Sequence, residues 1–396
     1  SGYGNGLDSG STGSSSTALG FGIYNKDTMG SITNAGIISG IGTGAGIYNH
    51  SGTMGAITNT GVIYGTSNAI NRDNESIDPS SNYGILVNGD SNNDVVDGLD
   101  IVDETPKESE ILNKGLIFKA VGETYKAAAD DYQKFGQTFN DSEITIINAK
   151  AEGTEDNITG TESLKLENGT LSYNDSKNNY KVETISSNKR YILNGITNTL
   201  KVSGKNNELN DSIINAYGTA VVFGDTGDKK LTLSGSIVNG GIDESDSNPG
   251  TKVAAILGSD NGDTLILQSI VSNQGTQNTV VNGNINMGAG ADTLTIGDGT
   301  IINGTLDGGD SDFKDTLNFG ISSVTKSIPA KSQEIKIMHN ITNFENMNIG
   351  ENTNVTLFEK TIGTKGEETA LEVSGVKEID IKAGGVLNLR IDSQKS

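Results

Sequence analysis

The sequence predicts an all-β chain of short strands that stack on one another in parallel. Three observations support this prediction: an internal repeat of about 24 residues, short apolar clusters bounded by glycine and asparagine, and a shortage of large core residues. Glycine supplies 53 of 396 residues, tryptophan and cysteine are absent, and aromatic residues make up 5%. Such a chain can fill a thin core, but not the thick core of a large globular domain.

Two adjacent copies show the repeat most clearly. Residues 20–40 read GFGIYNKDTMGSITNAGIISG, and residues 44–65 read GAGIYNHSGTMGAITNTGVIYG. Each copy holds three apolar clusters separated by turn residues, which predicts three short strands per copy. When copies stack, isoleucine and valine lie above one another, and the repeated asparagines can bond along the stack.

The length and pattern of the repeat favour one architecture. Leucine-rich repeats need L-x-x-L-x-L, propeller blades need ~40–45 residues, and left-handed hexapeptide coils need a six-residue beat; none of these patterns is present. The predicted fold is therefore all-β, a right-handed parallel β-helix (solenoid) with loop insertions and one short helix. Residues 1–396 are predicted to form a single solenoid, because stacked repeats behave as one unit.

Two segments interrupt the repeat and are predicted to be insertions that project from the coil, 71–110 and 122–136. Three alanines among the spaced aromatic residues of the second segment predict a short helix near 122–134. Loops on a rigid scaffold often carry binding, and aromatic residues anchor partners. The predicted binding residues are therefore Asp97, Asp100, Asp103, Glu104, Tyr125, Tyr132 and Phe135. A solvated loop without a binding role fits the same pattern.

Four glycine-rich phrases place an aspartate just before a predicted strand, at Asp228, Asp263, Asp292 and Asp315. Calcium-binding coils have phrases of this character, but they need nonapeptides in tandem, and these aspartates are about one repeat or more apart. An aspartate–glycine turn that leads into a strand explains the phrases as well. No metal ligand is predicted.

Three tyrosines, Tyr24, Tyr48 and Tyr64, recur at positions related by the repeat. They fit a structural stack of aromatic rings, and they also fit an exposed row on which sugar rings could lie. His50 aligns with Lys26 of the preceding copy, so its position is expected to be exposed rather than catalytic.

The composition argues against several classes of function. The chain carries 28 basic and 50 acidic side chains, a net charge of −22, which works against binding to nucleic acid. The absence of cysteine excludes thiolate catalysis and sulfur-ligated zinc. No enzyme activity, catalytic residue or cofactor is predicted, although a polysaccharide-degrading enzyme stays a third hypothesis, because coils of this kind can also carry paired carboxylates.

A set of phrases in residues 288–358 adds a resemblance. They are Gly308-Gly-Asp, Asp315-Thr-Leu-Asn-Phe-Gly320, Ile341-Thr-Asn-Phe-Glu345 and Asn354-Val-Thr-Leu357. In this order the phrases resemble the passenger domains of type V (Va) autotransporters, which are β-helical adhesins of Gram-negative bacteria. The style is closest to large fusobacterial outer-membrane adhesins, and the repeats near the N-terminus have the same character.

The resemblance implies an extracellular adhesin segment that attaches to a protein or glycan of a host cell, or to another bacterium. It also implies a location at the cell surface, with anchoring to the outer membrane through a translocator barrel that this chain lacks. A monomer is expected. The main alternative is a passive spacer within a longer adhesin.

Overall fold

The structure is a computed structural model. It describes residues 19–73, 76–89, 92–119, 124–125, 143–148, 164–174, 180–186, 189–224, 226–241, 253–272, 275–309, 313–320, 332–358 and 371–389.

The described residues are all-β, and their first fifteen strands form what is called the first stack. These strands are β1 Leu19–Gly20, β2 Ile23–Asn25, β3 Ile32–Asn34, β4 Ile37–Gly42, β5 Ile47–Asn49, β6 Ile57–Asn59, β7 Val62–Gly65, β8 Ile70–Arg72, β9 Ser80–Asn82, β10 Ile85–Asn88, β11 Val96–Asp97, β12 Asp100–Val102, β13 Glu110–Asn113, β14 Leu116–Phe118 and β15 Thr124–Tyr125.

The remaining strands form the second stack. Its first half contains β16 Glu143–Asn148, β17 Leu164–Glu167, β18 Thr170–Asn174, β19 Tyr180–Thr184, β20 Lys189–Gly195, β21 Leu200–Ser203, β22 Asn207–Asn210, β23 Ile213–Ala216, β24 Val221–Phe223, β25 Lys230–Ser234, β26 Ile237–Asn239, β27 Ala254–Leu257 and β28 Thr264–Gln268. Its second half contains β29 Ile270–Ser272, β30 Gly275–Gln277, β31 Val280–Asn282, β32 Asn284–Asn286, β33 Thr293–Ile296, β34 Ile301–Asn303, β35 Leu306–Asp307, β36 Thr316–Phe319, β37 Gln333–Ile337, β38 Ile341–Thr342, β39 Asn346–Ile349, β40 Thr353–Leu357, β41 Glu378–Ile381 and β42 Val386–Leu389.

Strands one repeat apart lie side by side in each stack. The sheets of the first stack follow the orders β1-β4-β7-β10-β14-β15, β11-β8-β5-β2 and β12-β13-β9-β6-β3. The three large sheets of the second stack follow β16-β20-β23-β26-β31-β34, β19-β18-β17-β21-β24-β27-β32-β35-β38 and β22-β25-β28-β33-β36-β39-β41, beside the smaller β37-β40-β42 and β29-β30. Described antiparallel pairing is confined to β29–β30 and to sheet ends. This arrangement is consistent with a parallel β-helix.

The register matches the sequence repeat residue for residue. Ile23 pairs with Ile47, and Ile32 pairs with Ile57, so that branched side chains of successive copies lie about one strand spacing apart. The interior of each stack is a column of such side chains, and Ile47, Ile57 and Ile63 are fully buried. Burial of several apolar side chains per copy is the main favourable term for a fold with so little other core.

One predicted insertion is corrected by the structure. Most of 71–110 does not project as a loop, because it supplies β9 and β10, which pair in parallel with strands of the copies on either side. The cause is a hidden continuation of the repeat: Ile85, Leu86 and Val87 take the places of Val62, Ile63 and Tyr64. Polar strands such as Ser80–Asn82 obscured this continuation in the sequence.

The second predicted insertion, 122–136, and the short helix near 122–134 lie outside the described residues, apart from Thr124–Tyr125. Those two residues form β15, a strand that pairs antiparallel with β14. The described ranges contain no helix. The assignment of 1–396 to a single solenoid stays a prediction.

The two stacks pack against each other along an apolar seam. Phe118 of the first stack lies 5.1 Å from Tyr217 of the second, measured between ring centroids. Tyr83 of the first stack is 1% exposed and clusters with Ile192 and Ile213 of the second. The seam therefore buries large side chains that neither stack alone would cover.

Asparagines connect the stacks at this seam. The first asparagine column comprises Asn34, Asn59, Asn82 and Asn113, and the second comprises Asn148, Asn194, Asn215, Asn239, Asn282 and Asn303; each column lies in strand register. Four side chains of the second column donate Nδ2–H to turn carbonyls of the first stack, in the pairs Asn194–Lys114, Asn215–Tyr83, Asn239–Thr60 and Asn282–Ala35, at 2.9–3.1 Å. The order of these pairs is reversed along the chain, so the stacks run antiparallel to each other.

Candidate functional site

The described members of the predicted binding set are distributed over strands of three sheets and the turn after one of them. Asp97 ends β11, Asp100 begins β12 in a different sheet, and Asp103 and Glu104 follow β12; all four are exposed. Tyr125 lies in β15, where its backbone pairs with that of Ile117. Tyr132 and Phe135 lie outside the described residues.

One of these residues lies on a surface that the structure does assemble. The sheet β2, β5, β8 and β11 aligns Tyr24, Tyr48, Asn71 and Asp97 in a single column. Because every second residue of a strand points to the same side, register-matched residues share one face of the sheet. Asp97 is thus continuous with the row that begins at the two tyrosines.

The surface around the tyrosines is called the aromatic–acid face, and it consists of Phe21, Tyr24, Tyr48, His50 and Asp73. Phe21 and Tyr24 are stacked, with ring centroids 5.2 Å apart, and Tyr48 is tilted against both, 4.9 Å from Phe21 and 5.6 Å from Tyr24. His50 extends the row, 5.9 Å from Tyr24 and 5.6 Å from Tyr48. Contacts of this length leave no space for a ligand between the rings, so a ligand could reach only the solvent-facing side of the cluster.

Much of the aromatic–acid face is open to solvent. Tyr24 is 42% exposed, and the side chains of His50 and Asp73 are 43% and 40% exposed. Phe21 and Tyr48 are partly buried and hold the others in place. Tyr64, the third tyrosine of the repeat, lies on another sheet and is buried, so the row contains two of the three predicted tyrosines.

Asp73 organises the polar edge of the face. Tyr48 Oη donates to Asp73 Oδ2 at 2.8 Å, and His50 Nδ1 lies 2.8 Å from the same oxygen. Burial, reinforced by the hydrogen bond to Asp73, raises the pKa of Tyr48 to about 12, while the hydrogen bond from Tyr48 lowers the pKa of Asp73. At neutral pH the phenol is therefore a fixed hydrogen-bond donor and the carboxylate a fixed acceptor.

Arg72 links this sheet to the loop that carries the other predicted acids. Its Nε donates to the carbonyl oxygen of Gly98 at 2.7 Å, and its Nη1 donates to Ser109 Oγ at 2.8 Å. Gly98 has a φ of 78°, a conformation that favours glycine. The segment between Gly98 and Ser109, which includes Asp100, Asp103 and Glu104, is held at both ends.

A second set of chemically notable residues lies in the second stack, buried except for Lys377 at its end, and is called the acidic column. Its members precede register-matched strands: Lys229, Asp263, Asp292, Asp315, Glu345 and Lys377. Asp292 Oδ1 accepts the backbone N–H of Asp263 at 2.6 Å, and Asp315 Oδ1 accepts that of Asp292 at 2.8 Å. The lysines close the column at its ends, with Lys229 Nζ 3.8 Å from Asp263 and Lys377 Nζ 3.5 Å from Glu345.

The acidic column shows the structural role of the aspartates that precede strands in the glycine-rich phrases. Asp263, Asp292 and Asp315 are almost completely buried and join one copy to the next, whereas Asp228 is exposed and lies outside the column. Burial, together with the charges of Asp263 and Asp315, raises the pKa of Asp292 to about 8. In the described part of the chain, no group of three acidic or histidine side chains is arranged to hold a metal ion.

No family model, no curated protein and no solved structure matches this chain. Within the described ranges, no helix is long and apolar enough to cross a membrane.

Two members of the aromatic–acid face were not selected from the sequence, Phe21 and Asp73. Phe21 lies in the first copy of the repeat but aligns with Ala45 of the second, so no aromatic residue recurs there, and Asp73 falls at the start of a segment predicted to project. A signal existed for Asp73, because it follows Tyr48 by 25 residues and His50 by 23, close to the repeat length. Stacking brings residues with that separation together.

Proposed function

We propose that this chain is a non-catalytic attachment module, a segment of a bacterial autotransporter adhesin that binds surface molecules of a host cell or of another bacterium. The observation that carries the proposal is the aromatic–acid face, an exposed aromatic row on a sheet held by parallel pairing. Exposed aromatic residues on a rigid support are typical anchors for partners, because few rotamers are lost on binding. The location at the cell surface and the outer-membrane anchor belong to the same proposal.

The right-handed, helical form of the two stacks is also part of this proposal. We infer that each stack is a right-handed parallel β-helix, because three sheets in each stack pair equivalent strands of successive copies in parallel. The passenger-like phrases support the same inference. Asp315 and Ile341 both lie in stacked positions, at a step of the acidic column and in a parallel strand pair.

The chemistry of the face favours binding over catalysis. The high pKa of Tyr48 makes its phenol a poor nucleophile at neutral pH, and Asp73 already accepts hydrogen bonds from the face itself. The polysaccharide-degrading alternative would need a pair of carboxylates at a defined separation around an open site. The acidic column is buried and so does not meet that need.

The test measures attachment of the purified chain to epithelial cells and to partner bacteria by flow cytometry. A double variant, Tyr24→Ala with Tyr48→Ala, should lower the bound fraction by about tenfold, because it removes two aromatic anchors. Tyr180→Ala is the matched control, since Tyr180 is 70% exposed but lies on the second stack.

The alternative hypothesis is a passive spacer, and it predicts a different result. A spacer would show no saturable attachment in either assay, whatever its variant. Attachment that is equal for the native chain, the double variant and the Tyr180 control would place binding elsewhere and remove the aromatic–acid face from the proposal.

A further inference from the structure

One end of the acidic column holds a buried amine beside a buried carboxyl group. Lys229 and Asp263 occupy equivalent positions just before β25 and β28, and their side chains are 1% and 0% exposed. Lys229 Nζ lies 3.8 Å from Asp263 Oδ1, which is longer than a hydrogen bond. A buried ion pair without a direct hydrogen bond offsets little of the cost of removing two charges from water, so the neutral forms of both groups are favoured.

Ser259 connects the two groups. It lies in the turn four residues before Asp263, where Lys229 Nζ donates to Ser259 Oγ at 3.0 Å and Ser259 Oγ donates to Asp263 Oδ2 at 2.8 Å. This chain of hydrogen bonds gives a proton a route from the ammonium group to the carboxylate. Burial raises the pKa of Asp263, which favours the product of that transfer, an amine beside a carboxylic acid.

Backbone donors prepare the carboxyl group of Asp263 to accept a nucleophile. The backbone N–H of Lys229 donates to Oδ1 at 3.2 Å, and the backbone N–H of Ser259 donates to Oδ2 at 2.8 Å. Fixed donors of this kind stabilise the negative charge that develops on a carboxyl oxygen when its carbon is attacked. Because both reacting groups are held in one folded chain, their effective concentration is far above that of separate molecules.

We propose that Lys229 and Asp263 form an intramolecular isopeptide bond, an amide between the two side chains. A proton first passes from Lys229 Nζ through Ser259 Oγ to Asp263 Oδ2. The neutral Nζ, moved by rotation about the last bonds of the lysine side chain, then attacks Cγ of Asp263 and forms the new C–N bond, while the backbone N–H of Lys229 holds the charge on Oδ1. Nζ passes a second proton to Oδ2, the Cγ–Oδ2 bond breaks, and Oδ2 leaves as water. One water is released, and no oxidant or cofactor is consumed.

The bond ties two successive copies of the repeat together. Lys229 and Asp263 are 34 residues apart in the sequence, so the amide closes a loop between neighbouring strands and removes conformational freedom from the unfolded chain. It also keeps β25 beside β28 when the chain is pulled from its ends. This inference is independent of the proposed attachment function, since it concerns the interior of the second stack.

The test measures the intact mass of the complete folded chain by electrospray mass spectrometry during incubation at neutral pH. The expected mass is lower than the sequence mass by one water molecule, and tandem spectra of a protease digest should contain a branched peptide that joins Lys229 to Asp263. Lys229→Arg should keep the full mass of its own sequence, because a guanidinium group stays protonated and does not attack. Ser259→Ala should slow the loss of water at least about tenfold, because it removes the proton route.

Lys377→Arg is the matched control. Lys377 Nζ lies 3.5 Å from Glu345 at the other end of the acidic column, but the side chain of Lys377 is 69% exposed and its ammonium group stays hydrated and charged. This variant should therefore still lose one water.

The inference is overturned by an intact mass equal to the sequence mass, or by a branched peptide that joins other residues. A loss of water that persists in Lys229→Arg also overturns it, because a cyclic imide at another aspartate gives the same mass. An unchanged rate in Ser259→Ala overturns the assigned proton route. The branched peptide is sought in the native chain, so the test holds even where a variant does not fold.

Discussion

The two asparagine columns differ in the direction of their side-chain ladder and in a further acceptor of each amide, and that further acceptor determines how the stacks are joined. In both columns each Nδ2–H donates to the Oδ1 of the neighbouring asparagine, as in Asn34–Asn59 at 2.8 Å and Asn239–Asn215 at 2.8 Å. In the first column the amide also donates to the carbonyl of its own turn, as Asn59 does to Gly61 at 3.1 Å. In the second column it donates to a turn of the other stack, as Asn239 does to Thr60.

This difference shows that one local motif can serve two purposes. The turn that follows each asparagine of the first column exposes the carbonyl of its middle residue, and that carbonyl is what the second column binds. The first column therefore forms hydrogen bonds within its own turns, and the second column binds the carbonyl oxygens that these turns expose. A buried amide must satisfy its donors, so each column depends on whichever acceptor its surroundings supply.

The largest effect is expected where the turns of the first column stack. A Cβ on Gly84 would lie 2.0 Å from the backbone oxygen of Gly61, and neither backbone can move without breaking strand pairs. Gly84→Ala should lower the free energy of unfolding by about 3 kcal/mol or more. Denaturant titration measures it, and Gly30→Ala is the control, since its Cβ would meet nothing within 4 Å. Equal stability of the two variants would show that these turns are not closely stacked.

A smaller loss of stability is expected when an asparagine of either column is replaced. Asn215→Ala and Asn59→Ala each leave buried hydrogen-bond partners unsatisfied, so each should cost about 1–3 kcal/mol. The two variants should differ in which backbone amides exchange hydrogen faster than they do in the native chain. Loss of Asn215 should expose amides around Tyr83 in the first stack as well as its own strand, because it breaks the bond to the Tyr83 carbonyl. Loss of Asn59 should act mainly within the first stack. Unchanged exchange around Tyr83 in the Asn215 variant would mean that the seam does not couple the stacks.

The acidic column, which lies in the second stack only, supplies the smallest effect per step, because its contribution changes gradually with each pH unit. The native state keeps a proton on Asp292 up to pH about 8, whereas an unfolded carboxyl loses it near pH 4. The folded chain thus binds more protons between these values, and the free energy of unfolding should fall as pH rises through that window. The slope should approach about 1.4 kcal/mol per pH unit and vanish above the window.

Asp292→Asn tests this pH dependence directly. The amide is neutral and similar in shape to the protonated acid, so the variant should flatten the decline between pH 4 and pH 8. Asp228→Asn is the control, because Asp228 belongs to the same kind of phrase but is exposed. A native slope that persists in the Asp292 variant would assign the decline to other groups.

The sequence by itself determined the repeat, the strands and the residues that share a column. Stacking copies of nearly constant length brings residues one repeat apart into contact, so Ile23 over Ile47 and Asn34 over Asn59 follow from alignment alone. The same logic covers Tyr24 over Tyr48, half of the aromatic–acid face. Alignment did not predict the strands of 71–110, because polar residues such as those of Ser80–Asn82 take the places of apolar ones there. The backbone nevertheless continues to pair in parallel.

Only the tertiary structure decided how the two stacks meet and where the polar edge of the face lies. The partners of Asn215 and Asn282 are 132 and 247 residues away, and no periodicity links such positions. Asp73 lies about one repeat from Tyr48 and His50, but only the structure shows that its N–H continues the pairing of β8 with β5 through the carbonyl oxygen of Asn49 and that its carboxylate accepts from Tyr48. Contacts along a stack follow from the repeat because each copy pairs with the next. Contacts between stacks depend on complementary side chains at a seam that the repeat does not encode.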